Sequence, residues 1–93
     1  LTSYKGKNIA LDFCFKLDVG TGDSFLVSFY DKDSSKEYVV YDIYYDVNNW
    51  KCVGIPISEV YKSDEFKVYF EMSVNGDGSN GDGVYIDNVK IGD

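Results

Sequence analysis

Acidic and amide side chains crowd the C-terminal stretch NGDGSNGDGVYIDNVKIGD, residues 75–93. Asp77, Asn80, Asp82 and Asp87 supply the hard oxygen ligands that Ca²⁺ prefers, and the glycines between them allow backbone carbonyls to turn toward one point. The spacing is not that of an EF-hand, because the glutamate that ends such a loop is missing. The stretch predicts either a calcium site or a solvated hairpin loop in which Asp87 hydrogen-bonds neighbouring backbone.

A second acidic stretch, DKDSSKE at residues 31–37, begins in the manner of a calcium loop. It carries two lysines, Lys32 and Lys36, whose ammonium groups compete with a cation for the carboxylates. We therefore predict a plain polar turn here, connecting two strands.

Nine tyrosines and one tryptophan give the chain many aromatic surfaces. Aromatic rings on a rigid sheet stack on sugar rings, while neighbouring Asp and Asn side chains hydrogen-bond sugar hydroxyls. The positions that we predict for such a ligand-binding platform, on one outward face, are Tyr30, Tyr44, Tyr69 and Tyr85. Most strand tyrosines nevertheless pack at the core or its rim, because their rings fit a half-buried pleat. For Trp50 the sequence leaves two roles open, core packing and ligand contact.

The sequence offers little support for catalysis. It has no histidine, which removes the usual general base, zinc ligand and triad partner. The carboxylates are spread through turns, and neither cysteine has an evident base beside it. We therefore predict no catalytic residues and no enzymatic activity for this chain alone.

The two cysteines, Cys14 and Cys52, are too few and too far apart in the chain to form a zinc knuckle or a CxxC redox pair. They are either two unpaired strand cysteines, which is the simpler interpretation, or the two halves of one disulfide.

Length and composition describe one folded domain, residues 1–93. Apolar residues make up 44% and aromatic residues 17%, which is enough for a packed core. The net charge of −7 repels a nucleic-acid backbone and an anionic lipid surface, so neither is a predicted partner. No apolar run reaches the length of a membrane helix, about 20 residues. Because the chain begins LTSYKGKNIAL, without an initiating methionine or a signal peptide, we expect a fragment or C-terminal module of a larger protein.

Alternation of apolar and polar residues, which is typical of half-buried strands, runs through most of the chain. Six such segments, separated by Gly/Asp turns, predict an all-β fold, an antiparallel two-sheet sandwich. Pro56 belongs at a strand end or sheet edge, because proline donates no ladder hydrogen bond. The residues predicted to face the core are Ile9, Leu11, Phe13, Phe15, Leu17 and Val19 in the first strand, Phe25, Val27 and Phe29 in the second, Val39, Tyr41, Ile43, Tyr45 and Val47 in the third, and Phe66, Val68, Phe70, Met72 and Val74 in the fifth.

Four segments, read in order, resemble the β-jelly-roll accessory domains of secreted bacterial peptidases. They are the strands IALDF and TGDSFLVSFYD, the segment WKCVGIPISEVYKSDEFKVYFEMSV that Trp50 opens, and the closing strand GDGVYIDNVKI. The closing strand is also similar to those of MAM-type modules, cleaved-adhesin domains and carbohydrate-binding jelly rolls. Two departures are that members of this group have further strands before the IALDF equivalent, and that the stretch before Trp50 lacks their usual serine-glycine-threonine turn. The motifs therefore indicate a fold more than an activity.

The resemblance implies a jelly-roll sandwich that is incomplete at its N-terminus and completed by polypeptide on that side, since an uncovered apolar sheet edge invites aggregation. It implies a structural calcium near the closing strand, held by Asp87 together with Asp23 or Asp12. It further implies a secreted or cell-surface, noncatalytic accessory domain that stabilises or positions a peptidase or holds its macromolecular substrate. The alternatives are a carbohydrate-binding module that anchors an enzyme to polysaccharide, and an adhesion module that binds protein through a sheet edge.

Overall fold

The computed structural model describes residues 1–18, 23–73 and 83–92, most of them in strands. The six strands are β1 (Ala10–Asp18), β2 (Ser24–Asp31), β3 (Lys36–Ile43), β4 (Val47–Pro56), β5 (Val68–Ser73) and β6 (Gly83–Gly92). Of two short 3-10 helices, η1 (Thr2–Tyr4) precedes β1 and η2 (Glu59–Tyr61) lies between β4 and β5. Within these ranges no helix is long and apolar enough to cross a membrane.

The strands form two three-stranded sheets in which all neighbouring strands are antiparallel. Sheet 1 has the order β4-β1-β6, and sheet 2 has the order β3-β2-β5. The two sheets pack against each other through their central strands, β1 and β2, which confirms the predicted all-β, two-sheet sandwich. The predicted completion of this sandwich by polypeptide on the N-terminal side stays a prediction.

The core lies between the two central strands. Phe13 and Phe15 of β1 both contact Phe25 of β2, with ring centroids 6.4 and 5.6 Å apart. Phe13 also reaches Phe70 of β5 at 5.4 Å. Removing these large apolar surfaces from water is the main contribution that holds the sheets together. The predicted inward residues of the first two strands are buried, namely Ile9, Leu11, Phe13, Phe15, Leu17, Phe25, Val27 and Phe29, while Val19 and the fifth strand's Val74 lie outside the described residues.

The third strand departs from its predicted pattern. β3 ends at Ile43, so Tyr45 lies in the following connection and is exposed. A register shift between Val27 and Ser28 places Val39 opposite Ser28, and Val39 is exposed as well. The physical reason is a β-bulge, since one inserted residue moves the side chains beyond it to the other face of the strand. The predicted inward positions of Val39 and Tyr45 are therefore wrong.

The polar stretch between β2 and β3 forms a hydrogen-bonded turn. The Asp31 carboxylate accepts hydrogen bonds from the backbone N–H of Asp33 and from the Ser34 hydroxyl, both at 3.0 Å. Ser35 closes the turn with a φ of 56°, in the left-handed region. A side chain that bonds backbone two residues further on is typical of Asp in turns. The predicted polar turn between the two strands is confirmed.

The connection from β4 to β5 packs one aromatic side chain onto sheet 2. Pro56 ends β4, an edge strand, as predicted. Tyr61 then contacts Phe29 and Phe66 with ring centroids 5.3 and 6.5 Å away, whereas Val60 is exposed. The connection is therefore held to the core by Tyr61.

A buried lysine fixes the N-terminal segment against this connection. Lys62 is 4% exposed, and its ammonium donates hydrogen bonds to the Lys7 carbonyl and, at 2.5 Å, to the Glu59 carboxylate. The same carboxylate accepts the backbone N–H of Gly6 at 2.8 Å. A buried ammonium is tolerated only when its donors are satisfied in this way.

We expect Lys62→Met to lower the free energy of unfolding by about 1–3 kcal/mol, because the buried end of residue 62 no longer donates to the Lys7 carbonyl and to the Glu59 carboxylate, which keeps the Gly6 N–H alone, while the apolar stem is kept. Urea titration at neutral pH measures the loss. Lys36→Met, at an exposed position of β3, is the matched control and should stay within about 0.5 kcal/mol of the wild type. Equal stability of the two variants would contradict the structural role of Lys62.

The effect of Lys62→Met should depend on pH. The hydrogen bond from Lys62, followed by that from the Gly6 N–H, holds the pKa of Glu59 below its ordinary value. A carboxyl group with a lowered pKa stabilises the fold above the pKa that it has in the unfolded chain, and this stabilisation is lost as the pH falls through the lowered value. The urea midpoints of the wild type and Lys62→Met should therefore converge in acid.

Candidate functional site

The residues predicted as calcium ligands lie in different places. Asp77 and Asp82 fall outside the described residues. Asp12 lies on the outer face of β1, and Asp23 precedes β2 and is buried. Asp87 is an exposed residue of β6.

The Asp87 carboxylate accepts the backbone N–H of Asn88 at 2.8 Å. A contact of this kind with neighbouring backbone is the one that the hairpin-loop alternative predicts. Within the described ranges, no group of three or more His, Cys, Asp or Glu side chains that could hold a metal ion is formed. The calcium site stays a prediction.

The four tyrosines predicted to form one platform are divided among the two sheets and the connection between β3 and β4. Tyr30 of β2 and Tyr69 of β5 belong to sheet 2, whereas Tyr85 of β6 belongs to sheet 1. Tyr44 lies in the connection between β3 and β4 and is 73% exposed. A common face for all four is therefore not formed, because alternation along a strand shows its two faces but not which sheet the strand joins.

In sheet 1, Tyr85 lies near Lys16 and Trp50, which the predicted tyrosine platform did not include. The register of β1 and β6 places Lys16 directly opposite Tyr85. On the other side of β1, the Lys16 ammonium lies 5.2 Å from the ring centroid of Trp50 in β4. All three side chains point away from the core, since the neighbouring Phe15 and Leu17 point into it. We call Trp50, Lys16 and Tyr85 the aromatic row.

The aromatic row is open to solvent and lies beside a shallow depression. Trp50 is 49% exposed and Tyr85 is 56% exposed. Tryptophan is highly buried on average, so a half-exposed Trp50 leaves a large apolar surface in water. The depression has a volume of about 270 Å³, and its lining is formed by Lys16, Leu17, Asp18, Val47, Asn48 and Tyr85.

A disulfide lies next to the aromatic row. Cys14 of β1 and Cys52 of β4 are register partners and are joined covalently, with Cα atoms 3.9 Å apart. Of the two interpretations that the sequence left open, the bonded one is therefore correct, and the simpler one is wrong. The bond ties the strand that carries Lys16 to the strand that carries Trp50, so it limits relative movement of these two side chains.

Polar groups surround the far side of the disulfide. Asp12 and Lys90 are register partners on β1 and β6. The Asp12 carboxylate extends over Gly54 of β4, where its Oδ1 lies 2.7 Å from the position that a Cβ would take. Because glycine has no Cβ, residue 54 leaves room for this carboxylate. A second depression of about 370 Å³ is lined by Asp12, Phe13, Cys14, Cys52, Val53, Asn88 and Lys90.

A bulge in β6 directs an amide into the second depression. The register shifts between Asp12 and Cys14, and Asn88 takes a φ of 56° at this point. Asparagine tolerates the left-handed region better than most residues. As a result the Asn88 side-chain amide lies 4.0 Å from the Cys14 sulfur, and it joins the lining of the depression.

The outer face of sheet 1 thus combines two kinds of contact. Trp50 and Tyr85 are each about half exposed, and the Lys16 ammonium lies over the Trp50 ring. Lys16 and Lys90 are hydrogen-bond donors, and Asp12 is an acceptor. Flat rings beside donors and acceptors fit a ligand with apolar ring faces and many hydroxyl groups, and sugars have both.

Among residues 1–18, 23–73 and 83–92, the carboxyl groups with a lowered pKa belong to ion pairs elsewhere. A hydrogen bond from Lys32 holds the pKa of Asp64 below its ordinary range, and the two groups are 2.6 Å apart. Lys62 does the same for Glu59. A lowered pKa keeps a carboxylate charged and makes it a poor proton donor at neutral pH. These pairs therefore have the character of structural contacts.

Sequence reasoning missed Lys16 as a site residue and left Trp50 undecided. Lys16 alternates with the residues predicted to face the core, but nothing in the alternation pattern distinguishes it from Asp12 or Asp18. Trp50 itself was a usable signal of a site. A large apolar ring on the outer side of a strand stays exposed to water unless another group covers it. The strand order was needed to bring the two together.

Comparison with protein-family models, with curated proteins and with solved structures finds no match to this chain.

Proposed function

We propose that this chain is a noncatalytic accessory module of a larger secreted or cell-surface protein, and that it binds polysaccharide through the aromatic row of sheet 1. The observation that carries this proposal is the placement of two exposed aromatic rings, Trp50 and Tyr85, on either side of Lys16 on one face. Aromatic rings held by neighbouring strands of a sheet form a rigid surface, so little ordering is required when a ligand binds.

Several features support a binding role over a catalytic one. The chain has no histidine. In the part of the chain that the structure describes, the carboxylates with a lowered pKa are Glu59 and Asp64, and each is engaged by a lysine. Binding without turnover requires only the stacking surface and the polar groups around it. The larger protein that we propose is a bacterial peptidase, on the resemblance of the strand motifs, and the module would hold polysaccharide-bearing substrate close to it.

The disulfide between Cys14 and Cys52 supports a location outside the cytoplasm. Disulfides persist in oxidising environments such as the cell exterior and are rare where glutathione keeps thiols reduced. Cys52 is exposed, so a reducing solution would have access to the bond.

Affinity electrophoresis tests the proposal. The purified chain should be retarded in gels that contain a bound polysaccharide, and Trp50→Ala or Tyr85→Ala should each weaken the retardation by about tenfold in apparent Kd, since stacking on one ring contributes about 1.4 kcal/mol. A panel of plant, fungal and bacterial polysaccharides covers the common sugar types.

The control is Tyr30→Ala, because Tyr30 also pairs with a lysine, Lys67, at 4.9 Å, but lies on sheet 2. This variant should bind like the wild type. The proposal is overturned if no polysaccharide retards the wild-type chain. It is also overturned if the Trp50→Ala/Tyr85→Ala double variant is still retarded.

A further inference from the structure

We propose that the aromatic row takes a single extended chain of an uncharged polysaccharide, which lies across the strands of sheet 1 and occupies three consecutive sugar positions. This inference rests on the proposed function and adds the shape, charge and minimum length of the ligand.

The spacing of the two rings sets the direction and length of the ligand. Trp50 lies on β4 and Tyr85 on β6, with β1 between them. The axes of β4 and β6 are therefore separated by two inter-strand spacings, about 10 Å. This is roughly the length of two sugar units in an extended chain. A ligand that contacts both rings consequently has one sugar on Trp50, one over Lys16 and one on Tyr85.

An extended chain also presents the correct ring faces at this spacing. In ribbon-like polymers of β-1,4-linked sugars, each unit is turned by about half a turn relative to the one before it. The first and third units therefore show the same apolar face to the sheet, and the second shows its other face. Both aromatic rings can stack on equivalent surfaces, as ring stacking requires. A coiled polymer such as amylose does not keep its rings in line over this distance.

The twist of the sheet favours one isolated chain over a flat crystal surface. Adjacent strands are rotated by about 20–25°, so two steps from β4 to β6 turn the surface by about 40–50°. A single chain can twist about its glycosidic bonds to follow this rotation. Chains packed in a crystalline fibre are held flat by their neighbours, and they would contact only one of the two rings well.

The central position is polar and matches the middle sugar. The Lys16 ammonium supplies three N–H donors, and sugar hydroxyl and ring oxygens accept hydrogen bonds. Its position 5.2 Å from the Trp50 ring centroid holds it within the row. Loss of this lysine should weaken binding without changing the number of sugars that the row accepts.

The charges on this face favour an uncharged ligand. Lys16 and Lys90 are balanced by Asp12 and Asp87 in the three neighbouring rows of sheet 1. Asp18, one row beyond, adds a further carboxylate beside the depression. The chain as a whole carries a net charge of −7. An acidic polysaccharide is therefore repelled at long range and finds no net positive charge over these rows of sheet 1.

Calorimetric titration with oligosaccharides of increasing length tests the inference. We would use soluble β-1,4-linked series built from glucose, N-acetylglucosamine, mannose and xylose. Single sugars and disaccharides should bind weakly, because they reach only one ring. The affinity for the matching series should rise by about tenfold at the trisaccharide, where the second ring is reached, and change little beyond it.

Variants separate the contributions of the row. Trp50→Ala and Tyr85→Ala should each remove the step at three units and leave the trisaccharide with the affinity of the disaccharide. Lys16→Met should lower affinity at every length that spans the centre and keep the step. Tyr30→Ala should leave the whole length series unchanged. Loss of the step in the Tyr30 variant would contradict the assignment to sheet 1.

The outcomes distinguish this inference from the proposed function. Absence of binding to every polysaccharide and oligosaccharide overturns both. Binding that requires the row but shows no step at three units overturns the inference alone, and so does a preference for amylose, for acidic polygalacturonate or for crystalline cellulose over soluble chains. A step at three units that needs both Trp50 and Tyr85 supports the three-position row.

Discussion

Replacing Phe13 with alanine should lower the free energy of unfolding by about 3–5 kcal/mol. Phe13 is buried at the centre of the sandwich and contacts Phe15, Phe25, Tyr41 and Phe70, with ring centroids 5.4 to 6.4 Å away. Alanine would leave a cavity bounded by rings from both sheets, and β strands tied into ladders cannot collapse to fill it. Domains of this size have a total stability of about 5–14 kcal/mol, so the loss is a large fraction of the whole.

Urea unfolding followed by tyrosine and tryptophan fluorescence measures this loss. Phe13→Leu should recover more than half of it, because leucine fills part of the volume. Tyr44→Ala removes an aromatic ring that is 73% exposed and should stay within about 0.5 kcal/mol of the wild type. If Phe13→Ala were no more harmful than Tyr44→Ala, the contact between the two sheets at this point would be incorrect.

Removing the disulfide in the double variant Cys14→Ser/Cys52→Ser should cost about 4 kcal/mol of stability. The bond closes a loop between residues that are 38 apart in sequence, and without it the unfolded chain regains the conformations that the loop excluded. The apolar core between the sheets is unchanged, so the variant should still fold. The loss of stability should therefore appear as a lower urea midpoint.

Reduction provides the independent check. Adding a thiol reductant should move the wild-type midpoint toward that of the serine variant, and the serine variant itself should not respond. Cys52 is exposed, so the reductant can reach the bond. A wild-type midpoint that stays constant in reductant under unfolding conditions would mean that the two cysteines are not joined.

The sequence predicted the inner face of the two central strands well. Strict alternation identified Phe13, Phe15, Phe25 and Phe29 as core residues, and all four are buried. Alternation fails where a bulge changes the face of a strand in mid-course, as at Val39, because a bulge depends on the partner strand and not on local composition.

The candidate site could not be predicted in the same way. Its members, Lys16, Trp50 and Tyr85, come from three strands that are distant in the chain and adjacent only in sheet 1. The same is true of Cys14 and Cys52, which become partners through the register of β1 and β4. Each pattern gives a face for one strand, whereas a site needs the order and register of several strands, and these are set by the packing of the whole sandwich.

The pairing of β1 with β6 determines how the domain responds to mechanical load. The two strands are antiparallel, and the first residue of β1, Ala10, lies opposite the last residue of β6, Gly92. Tension applied at these two residues pulls perpendicular to the strands, so it unzips the ladder one hydrogen bond at a time rather than shearing all of them together. Sheet 1 therefore yields first along β6, the strand that carries Tyr85, while the covalent link keeps β4 attached to β1. A polymer bound across β4, β1 and β6 would contact the strands on both sides of the β1–β6 ladder and would oppose their separation under tension.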